Sequence, residues 1–423
     1  MNPRELLEGS FAAAVGAADP LQIVPAHLPQ PPRGRTLVVG AGKAAASMAM
    51  AVERHWPAQA PLEGLVITRY GHGLPTERIR VVEAGHPVPD EAGEAAAREI
   101  LRLAATLGPE DLLLVLVSGG GSALLSIPAE GIAMADLKAV TRALLASGAA
   151  IQDMNTVRKH LSAIQGGRLA AATKARVLAL VISDVTGDDP THIASGPSVP
   201  DPTTYADARE ILARFDVKPP EPIERRLARG AAGDIPETPK PGDAVFARVE
   251  NRVIATAHRS LMTAAAYFQG RGITPMVLGD SVTGEAREVA KVYAALARQL
   301  RQHAHPLKPP VALISGGETT VTLKGKGRGG RCTEFLLSLA VELDGLADTW
   351  ALACDTDGID GSEDNAGAVL SPLSVAAAAA HGLDAKRLLA GNDAYSFFAA
   401  LDALVVTGPT RTNVNDYRVI LVQ

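Results

Sequence analysis

Six stretches of the chain place glycines, cations or carboxylates directly after an apolar run. The first, VVGAGKAAASM (38–48), turns through Gly40 and Gly42 and presents Lys43 just ahead of a predicted helix. Helix N-termini expose N–H groups and a partial positive charge, so such a turn suits a phosphate. Read as GxGxxA, with Ala45 in third place, it also fits a dinucleotide fingerprint. The second strand then ends at Thr68-Arg69 rather than at an acid, and Arg69 suits only a 2′-phosphate. A tight turn with a solvated lysine is the third reading, and residue types alone leave the three level.

The second stretch is LVSGGGSALLS (116–126). Gly119, Gly120 and Gly121 after a buried strand let backbone N–H groups approach an anion, and Ser118 and Ser122 add hydroxyls. Leu124 stands where a serine-hydrolase elbow needs its second glycine, which removes that chemistry. In NTVRKHLSAIQGGRLA (155–170), Asn155 is the predicted helix cap, with Arg158, Lys159, Ser162 and Arg168 on a polar face. Gly166 and Gly167 inside it cost about 1 kcal/mol each, so either a ligand or another backbone approaches there. In VISDVTGDDPTHIASGP (181–197), Asp184 ends a strand and Asp188 and Asp189 follow. Carboxylates at strand ends serve a hydroxyl proton or Mg²⁺.

The fifth stretch, LISGGET (313–319), contributes Gly316, Gly317 and Glu318 and runs toward Lys324, Lys326, Arg328 and Arg331, which alternate with glycines. A mobile basic loop entering a helix is expected, its arginines suited to bidentate phosphate contacts. An RNA-binding RGG tract fits less well, being a single copy in an acidic chain. The sixth, ACDTDGIDGSEDNAGA (353–368), holds Asp355, Asp357 and Asp360, but the spacing fails as an EF-hand. Mg²⁺ ligation, substrate contact and a structural loop all stay open for it. The polar loop TGPTRTNVND (407–416) is a further candidate lining.

The elements that must position these groups alternate between short β-branched runs and long Ala-rich amphipathic segments, the signature of a mostly parallel sheet covered on both faces. Strands are predicted at 36–40, 64–68, 79–84, 112–118, 177–183, 252–257, 273–279, 311–315, 349–355 and 402–408. Helices are predicted at 89–107, 133–147, 157–173, 284–303, 331–343 and 393–401. Six prolines between Asp216 and Asp243 mark the expected boundary between domains 1–240 and 241–423.

With 423 residues, two domains are the natural expectation. Apolar residues make up 47% and charged residues 21%, an ordinary globular composition. A net charge of −5 provides no basic field for nucleic acid or anionic membranes, so an anionic small molecule must be held by local cations. Two cysteines, Cys332 and Cys354, build no disulfide framework or metal spacing. No apolar run reaches the length of a membrane helix, and the N-terminus lacks a signal-like core, so a cytoplasmic protein is expected.

VVGAGKAA, EAGHPVPDE, SGGGSALL, RKHLSAIQGGRLA, SDVTGDDPTHIASGP, GRGGR, TDGIDG and TNVND, in this order, strongly resemble the class II glycerate kinases (glycerate 2-kinases of the MOFRL family) over nearly the whole chain. The resemblance implies a Rossmann-like N-terminal domain, a smaller α/β C-terminal domain and an active site in the cleft between them. It implies ATP-dependent phosphorylation of D-glycerate at the 2-hydroxyl, with Mg²⁺ and with Lys43 and Arg331 as catalytic cations. Asp184 is the first choice for assisting the hydroxyl, with Asp188, Asp189, Asp355 and Asp357 as metal candidates. Gly40, Gly42, Ser118–Ser122, Lys159, Arg168, Gly316, Gly317, Glu318 and Arg328 are the expected binding residues. Where the family commonly has Asn-Gln after GGR, this chain has Cys332-Thr333. Many relatives carry the name hydroxypyruvate reductase, so an NAD(P)H-dependent reductase is the alternative expectation. Homo-oligomerisation stays open.

Overall fold

The structure is a computed structural model and describes residues 2–423. Its first sheet grows from the strands with the least polar sequences. β1 (Thr36–Ala41) and β4 (Leu112–Val117) are buried at every position, as strands covered on both faces must be. Around them lie β2 (Leu62–Arg69), β3 (Ile79–Ala84), β5 (Arg176–Ile182) and β6 (Val249–Ala255). The order is β3-β2-β1-β4-β5-β6. β1 pairs parallel with both β2 and β4, β2 with β3, and β4 with β5.

Parallel pairing carries the C-terminal ends of these strands to one edge. Strand order reverses between β1 and β4, and open α/β sheets bind ligands at such a switch point. The Gly40–Lys43 and Ser118–Ser122 turns both start there. The core beneath combines Leu37, Val39, Ile67, Val115 and Val177 with Ile100, Leu124 and Leu169 from the covering segments. Each such side chain contributes about 1.5–3 kcal/mol through burial.

A second cluster in this unit joins the helices Met134–Ala146, Ile151–His160, Tyr205–Arg214 and Glu221–Ala231 through Leu137, Val157, Tyr205, Ile223 and Leu227. The single helix expected over 157–173 is broken. It runs from Ile151 to His160 and resumes only at Arg168–Ala171. Gly166 (φ 60°) and Gly167 (φ 79°) take left-handed backbone between the pieces. A Cβ on Gly167 would lie 2.9 Å from the Val199 carbonyl oxygen, so a close backbone is what these glycines accommodate. Asn155 is not the cap; it sits buried inside the helix, whose N-cap is Ala150.

The proline-rich stretch is also less of a linker than expected. Pro220 and Pro222 start the helix Glu221–Ala231, where a missing N–H costs nothing. The compact units are 20–254 on one side, and 255–423 together with residues up to 19 on the other. The division lies past 240 because β6 still belongs to the first sheet. The N-terminal helix Pro3–Gly16 packs Leu6, Leu7 and Phe11 with Leu261 and Phe268, which ties it to the C-terminal unit.

That unit contains β7 (Thr274–Gly279), β8 (Gly284–Glu285), β9 (Val311–Ser315), β10 (Thr319–Thr320), β11 (Thr349–Asp355), β12 (Gly367–Leu370), β13 (Leu404–Val405) and β14 (Asp416–Val422). β8 and β10 form a small parallel pair. The other six are ordered β13-β12-β11-β14-β9-β7. Only β7 and β9 pair parallel; β9–β14, β14–β11, β11–β12 and β12–β13 are antiparallel. The sheet is mixed here, and the last strand inserts antiparallel between β11 and β9. That insertion sets Asp416 directly beside Asp355.

Lys159 illustrates how burial reassigns a residue. Its ammonium donates to Asp201 Oδ1 at 2.8 Å, and both side chains are essentially inaccessible. Thr203 donates its hydroxyl to the same oxygen at 2.6 Å. The expected ligand contact at Lys159 is therefore replaced by an internal ion pair. Removing one partner of a buried pair leaves the other uncompensated, at about 3–5 kcal/mol. Lys159→Met is expected to lower the unfolding free energy from urea titration by that amount, and an unchanged value would count against the buried ion pair.

Candidate active site

Two clusters, one per unit, collect nearly all of the candidate residues. In the first unit the two glycine turns dock on each other. The Lys43 N–H donates to the Gly119 carbonyl at 2.8 Å, and the Ala44 N–H donates to Ser118 Oγ at 3.0 Å. The Gly42 N–H donates to the Ile67 carbonyl at 3.1 Å, whose strand neighbour Thr68 donates its hydroxyl to the Gly42 carbonyl at 3.1 Å. A Cβ on Gly42 would stand 2.1 Å from Ser118 Oγ, and one on Gly40 1.9 Å from the Leu116 carbonyl oxygen.

This arrangement corrects one expectation. The N–H groups of Gly42, Lys43 and Ala44 are spent on the neighbouring strands and turn, so the first turn is no backbone cradle. Its contribution is the Lys43 side chain. In the second turn, the N–H groups of Gly119 and Gly120 are not spent on any of these bonds. Gly120 has φ 81° and packs under His86, whose ring a Cβ would meet at 2.9 Å. Burial and then the charges of Lys43, Arg69, His72 and Arg158 push the His86 pKa down to about 3, leaving a neutral ring at neutral pH.

Behind Ser122 runs a chain of short polar contacts. Its hydroxyl lies 2.9 Å from that of Ser195, which donates to Asn155 Oδ1 at 3.1 Å. Ala194 and Ser195 both hold left-handed backbone (φ 48° and 56°), a costly conformation for such residues that clusters at functional sites. Arg158 donates to the same Asn155 oxygen at 3.3 Å. Asp184 follows β5 on the same sheet edge, half-buried. Asp189 is more exposed; burial opposes its charge, but the Thr191 N–H and hydroxyl and nearby His192 hold its pKa below the usual carboxylate range. Arg168 turns back to donate to the Lys159 carbonyl at 2.9 Å.

The second cluster centres on Arg331. It donates through Nε to Asp416 (2.8 Å), through Nη1 to Glu318 (2.6 Å) and through Nη2 to Asp355 (2.8 Å). Burial disfavours the charge, but Asp416, Asp355 and Glu318 keep the guanidinium protonated. Asp416 also accepts from buried Arg418, which reaches the Gly316 carbonyl at 3.1 Å. The Gly316 N–H is used on Gly279 and the Gly317 backbone packs against Val282, so this turn too is a structural joint.

The loop from Lys324 to Arg331 is pinned rather than loose. Asn392 Oδ1 accepts from the Lys324 and Gly325 N–H groups, and Asp393 from the Arg328 N–H. Cβ atoms on Gly325 and Gly327 would lie 2.1 Å and 2.5 Å from the Gly391–Asp393 segment. The glycines thus serve close approach instead of mobility. Arg328 pairs with Glu363 at 3.0 Å and stacks 4.2 Å from the Tyr395 ring. The helix Arg331–Leu343 has its first N–H groups occupied, since Asp360 accepts from Cys332 (2.9 Å) and Thr333 (2.8 Å). Cys332 and Thr333 are wholly buried, so their difference from Asn-Gln acts on the interior.

Among the described residues, no three His, Cys, Asp or Glu side chains are grouped to hold a metal. The expected metal residues explain why. Asp355 is shared between Arg331 and the Asp357 N–H, Asp357 accepts from the Ile359 N–H, and Asp188 and Asp189 occupy a turn of the other unit. Sequence reasoning missed His86 and the Asn155–Ser195 pair as members of these clusters, whereas Asp416 ends the 407–416 loop already offered as a lining. The strand-end position of EAGHPVPDE was the available signal for His86.

The chain matches the description "Domain of unknown function (DUF4147)" over residues 6–228 and "MOFRL family" over residues 311–416. A protein of Agrobacterium vitis provisionally named hydroxypyruvate reductase is 50% identical, covering 100% of this chain and 95% of its own. The glycerate 2-kinase of Pyrococcus horikoshii is 38% identical over 92% of this chain and 88% of its own. The crystal structure of a glycerate kinase from Thermotoga maritima superposes with a TM-score of 0.88 at 36% identity, covering 99% of both chains.

The neutral His86 carries a pH consequence. Its pKa is depressed in the fold, so the folded state binds fewer protons than the unfolded chain between about pH 3 and the ordinary histidine value near 6.5. Stability therefore falls as pH drops through that window, by at most about 1.4 kcal/mol per unit from this residue. His86→Asn is expected to flatten the decline, and the His86 ring proton resonance of the parent should not titrate between pH 5 and 8. Titration near 6.5 would contradict the placement.

Proposed function

The chain belongs to the glycerate kinase family that combines a DUF4147 region with a MOFRL region, and from that premise we propose that it transfers the γ-phosphoryl group of ATP to the 2-hydroxyl of D-glycerate, giving 2-phosphoglycerate and ADP. The observation that carries the reading is the fixed position of Lys43 at the β1/β4 switch point, beside a glycine turn with unspent N–H groups. Phosphoryl transfer asks little covalent chemistry of a protein; positioning and charge neutralisation lower most of the barrier.

In this reading the glycerate 2-hydroxyl oxygen attacks the γ-phosphorus, the bond to the β-phosphate oxygen breaks, and the hydroxyl proton passes to a carboxylate. Asp184 takes that proton. Lys43, immobilised through its own backbone, neutralises charge on the phosphoryl oxygens. Arg331 is the second cation. Reaching a phosphoryl group requires it to exchange a carboxylate, and Glu318 is the partner to leave, being 56% exposed against 7% for Asp355 and 0% for Asp416. Mg²⁺ on the nucleotide supplies further neutralisation and needs only one or two protein carboxylates, for which Asp355 and Asp357, or Asp188 and Asp189, are the candidates. No described helix is long and apolar enough to cross a membrane, in keeping with work on cytoplasmic metabolites.

The reductase name carried by the Agrobacterium vitis relative favours a second reading, an NAD(P)H-dependent reduction. The GxGxxA turn would then have to hold a pyrophosphate, but its N–H groups already donate to Ile67, Gly119 and Ser118. That occupancy speaks for the kinase.

A coupled assay of ADP release with ATP, Mg²⁺ and D-glycerate tests the proposal. Lys43→Ala is expected to lower kcat by about 10²–10³-fold, the usual effect of deleting one charge-stabilising donor. Full activity in that variant would remove Lys43 from the mechanism. Glu318→Gln should leave at least a tenth of the parental kcat, because it weakens only the exposed partner that Arg331 must release.

A further inference from the structure

One pocket of the first unit has no task in the chemistry above. It opens beside Ser122 and is walled by Pro87, Pro89, Leu137, Gln165 and Arg158.

Arg158 differs from the other enclosed arginines. Arg331 meets three carboxylates, Arg418 meets Asp416, and Arg168 donates to a main-chain carbonyl. Among the described residues, the one hydrogen bond of Arg158 is that to Asn155 Oδ1, at a long 3.3 Å. Nothing offsets its desolvation, and burial alone pulls its pKa down. A desolvated, uncompensated cation is costly unless an anion completes it. Lys138 lines the same pocket and adds a second positive charge.

The fork of an arginine matches the two oxygens of a carboxylate. Ser122, whose hydroxyl donates to Ser195 at 2.9 Å, stands at the pocket wall next to the glycine turn. The Gln165 amide holds that turn by donating to the Ser122 and Leu125 carbonyls at 2.9 Å each.

We propose that Arg158 binds the carboxylate of the acceptor in this pocket and is the residue that makes the enzyme select a 2-hydroxy acid over a neutral polyol or aldehyde. The assignment rests on the kinase reading for the identity of the acid. Asn155 positions Arg158 through its side-chain oxygen, and the apolar proline wall limits the length of acid that fits.

The test uses the full chain and compares the parent with Arg158→Lys and Arg158→Gln. KM is measured separately for D-glycerate and for ATP, and D-glyceraldehyde serves as an acceptor that lacks the carboxylate. Arg158→Gln is expected to raise KM for D-glycerate about 100-fold or more and leave KM for ATP within about twofold, the signature of lost ground-state binding to one substrate. The preference for D-glycerate over D-glyceraldehyde should shrink by the same factor, and Arg158→Lys should fall between. Equal losses for both acceptors, or a rise in KM for ATP instead, would overturn the assignment. A parent that phosphorylates nothing sinks the kinase reading alone. Calorimetry with D-glycerate then judges the pocket: binding lost in Arg158→Gln supports it, while binding that is absent from the parent or indifferent to the substitution refutes it.

Discussion

The closeness of two glycine turns is the constraint from which the rest of the first unit's site follows. Gly42 presses so tightly on Ser118 that a single methyl group would fall 2.1 Å from its hydroxyl. Only that approach lets the Ala44 and Lys43 N–H groups reach Ser118 and Gly119. The turns spring from β1 and β4, parallel neighbours in register from Thr36–Leu112 to Ala41–Val117. Sheet register, turn docking and the placement of Lys43 are thus one geometric fact. The same bonds remove the donors that a dinucleotide pyrophosphate would need.

Electrostatics divides the candidate residues into two kinds of neighbourhood. Around Lys43, cations accumulate and a histidine is driven neutral. Around Arg331, three carboxylates compete for one guanidinium, and two of them are buried. The first environment is positive and favours an anion over a cation. The second holds its cation in a fixed direction and must give up an exposed partner before the charge can act elsewhere. Perturbed charges concentrate where chemistry happens, and here they lie at strand ends in both units.

Much of this architecture was legible in the residues. The strands of the first sheet emerge within two residues of their apolar runs, except β6, which starts three residues earlier, because continuous β-branched sequence has few other places to go. The ordered motifs identified the family, and the glycine turns were found where they stand. What could not be read was partnership. Lys159 looked like a surface cation until Asp201, 42 positions on, closed over it. The Gly166–Gly167 pair looked like a helix interior because its need for positive φ depends on where Val199 passes. The glycines between Lys324 and Arg331 suggested mobility, whereas their real neighbours are Gly391, Asn392 and Asp393. Asp360 stayed open between ligand and structural loop, and it caps the helix beginning at Arg331, a role visible only once two distant segments meet.

The central claim is the chemical identity of the transfer, and it is tested most directly by following phosphorus. ³¹P NMR of the chain incubated with ATP, Mg²⁺ and D-glycerate should show the γ-phosphate signal replaced by that of a secondary phosphate ester, 2-phosphoglycerate, in step with ADP. A primary ester, 3-phosphoglycerate, or an unchanged ATP spectrum alongside NADPH oxidation by hydroxypyruvate, would contradict the account.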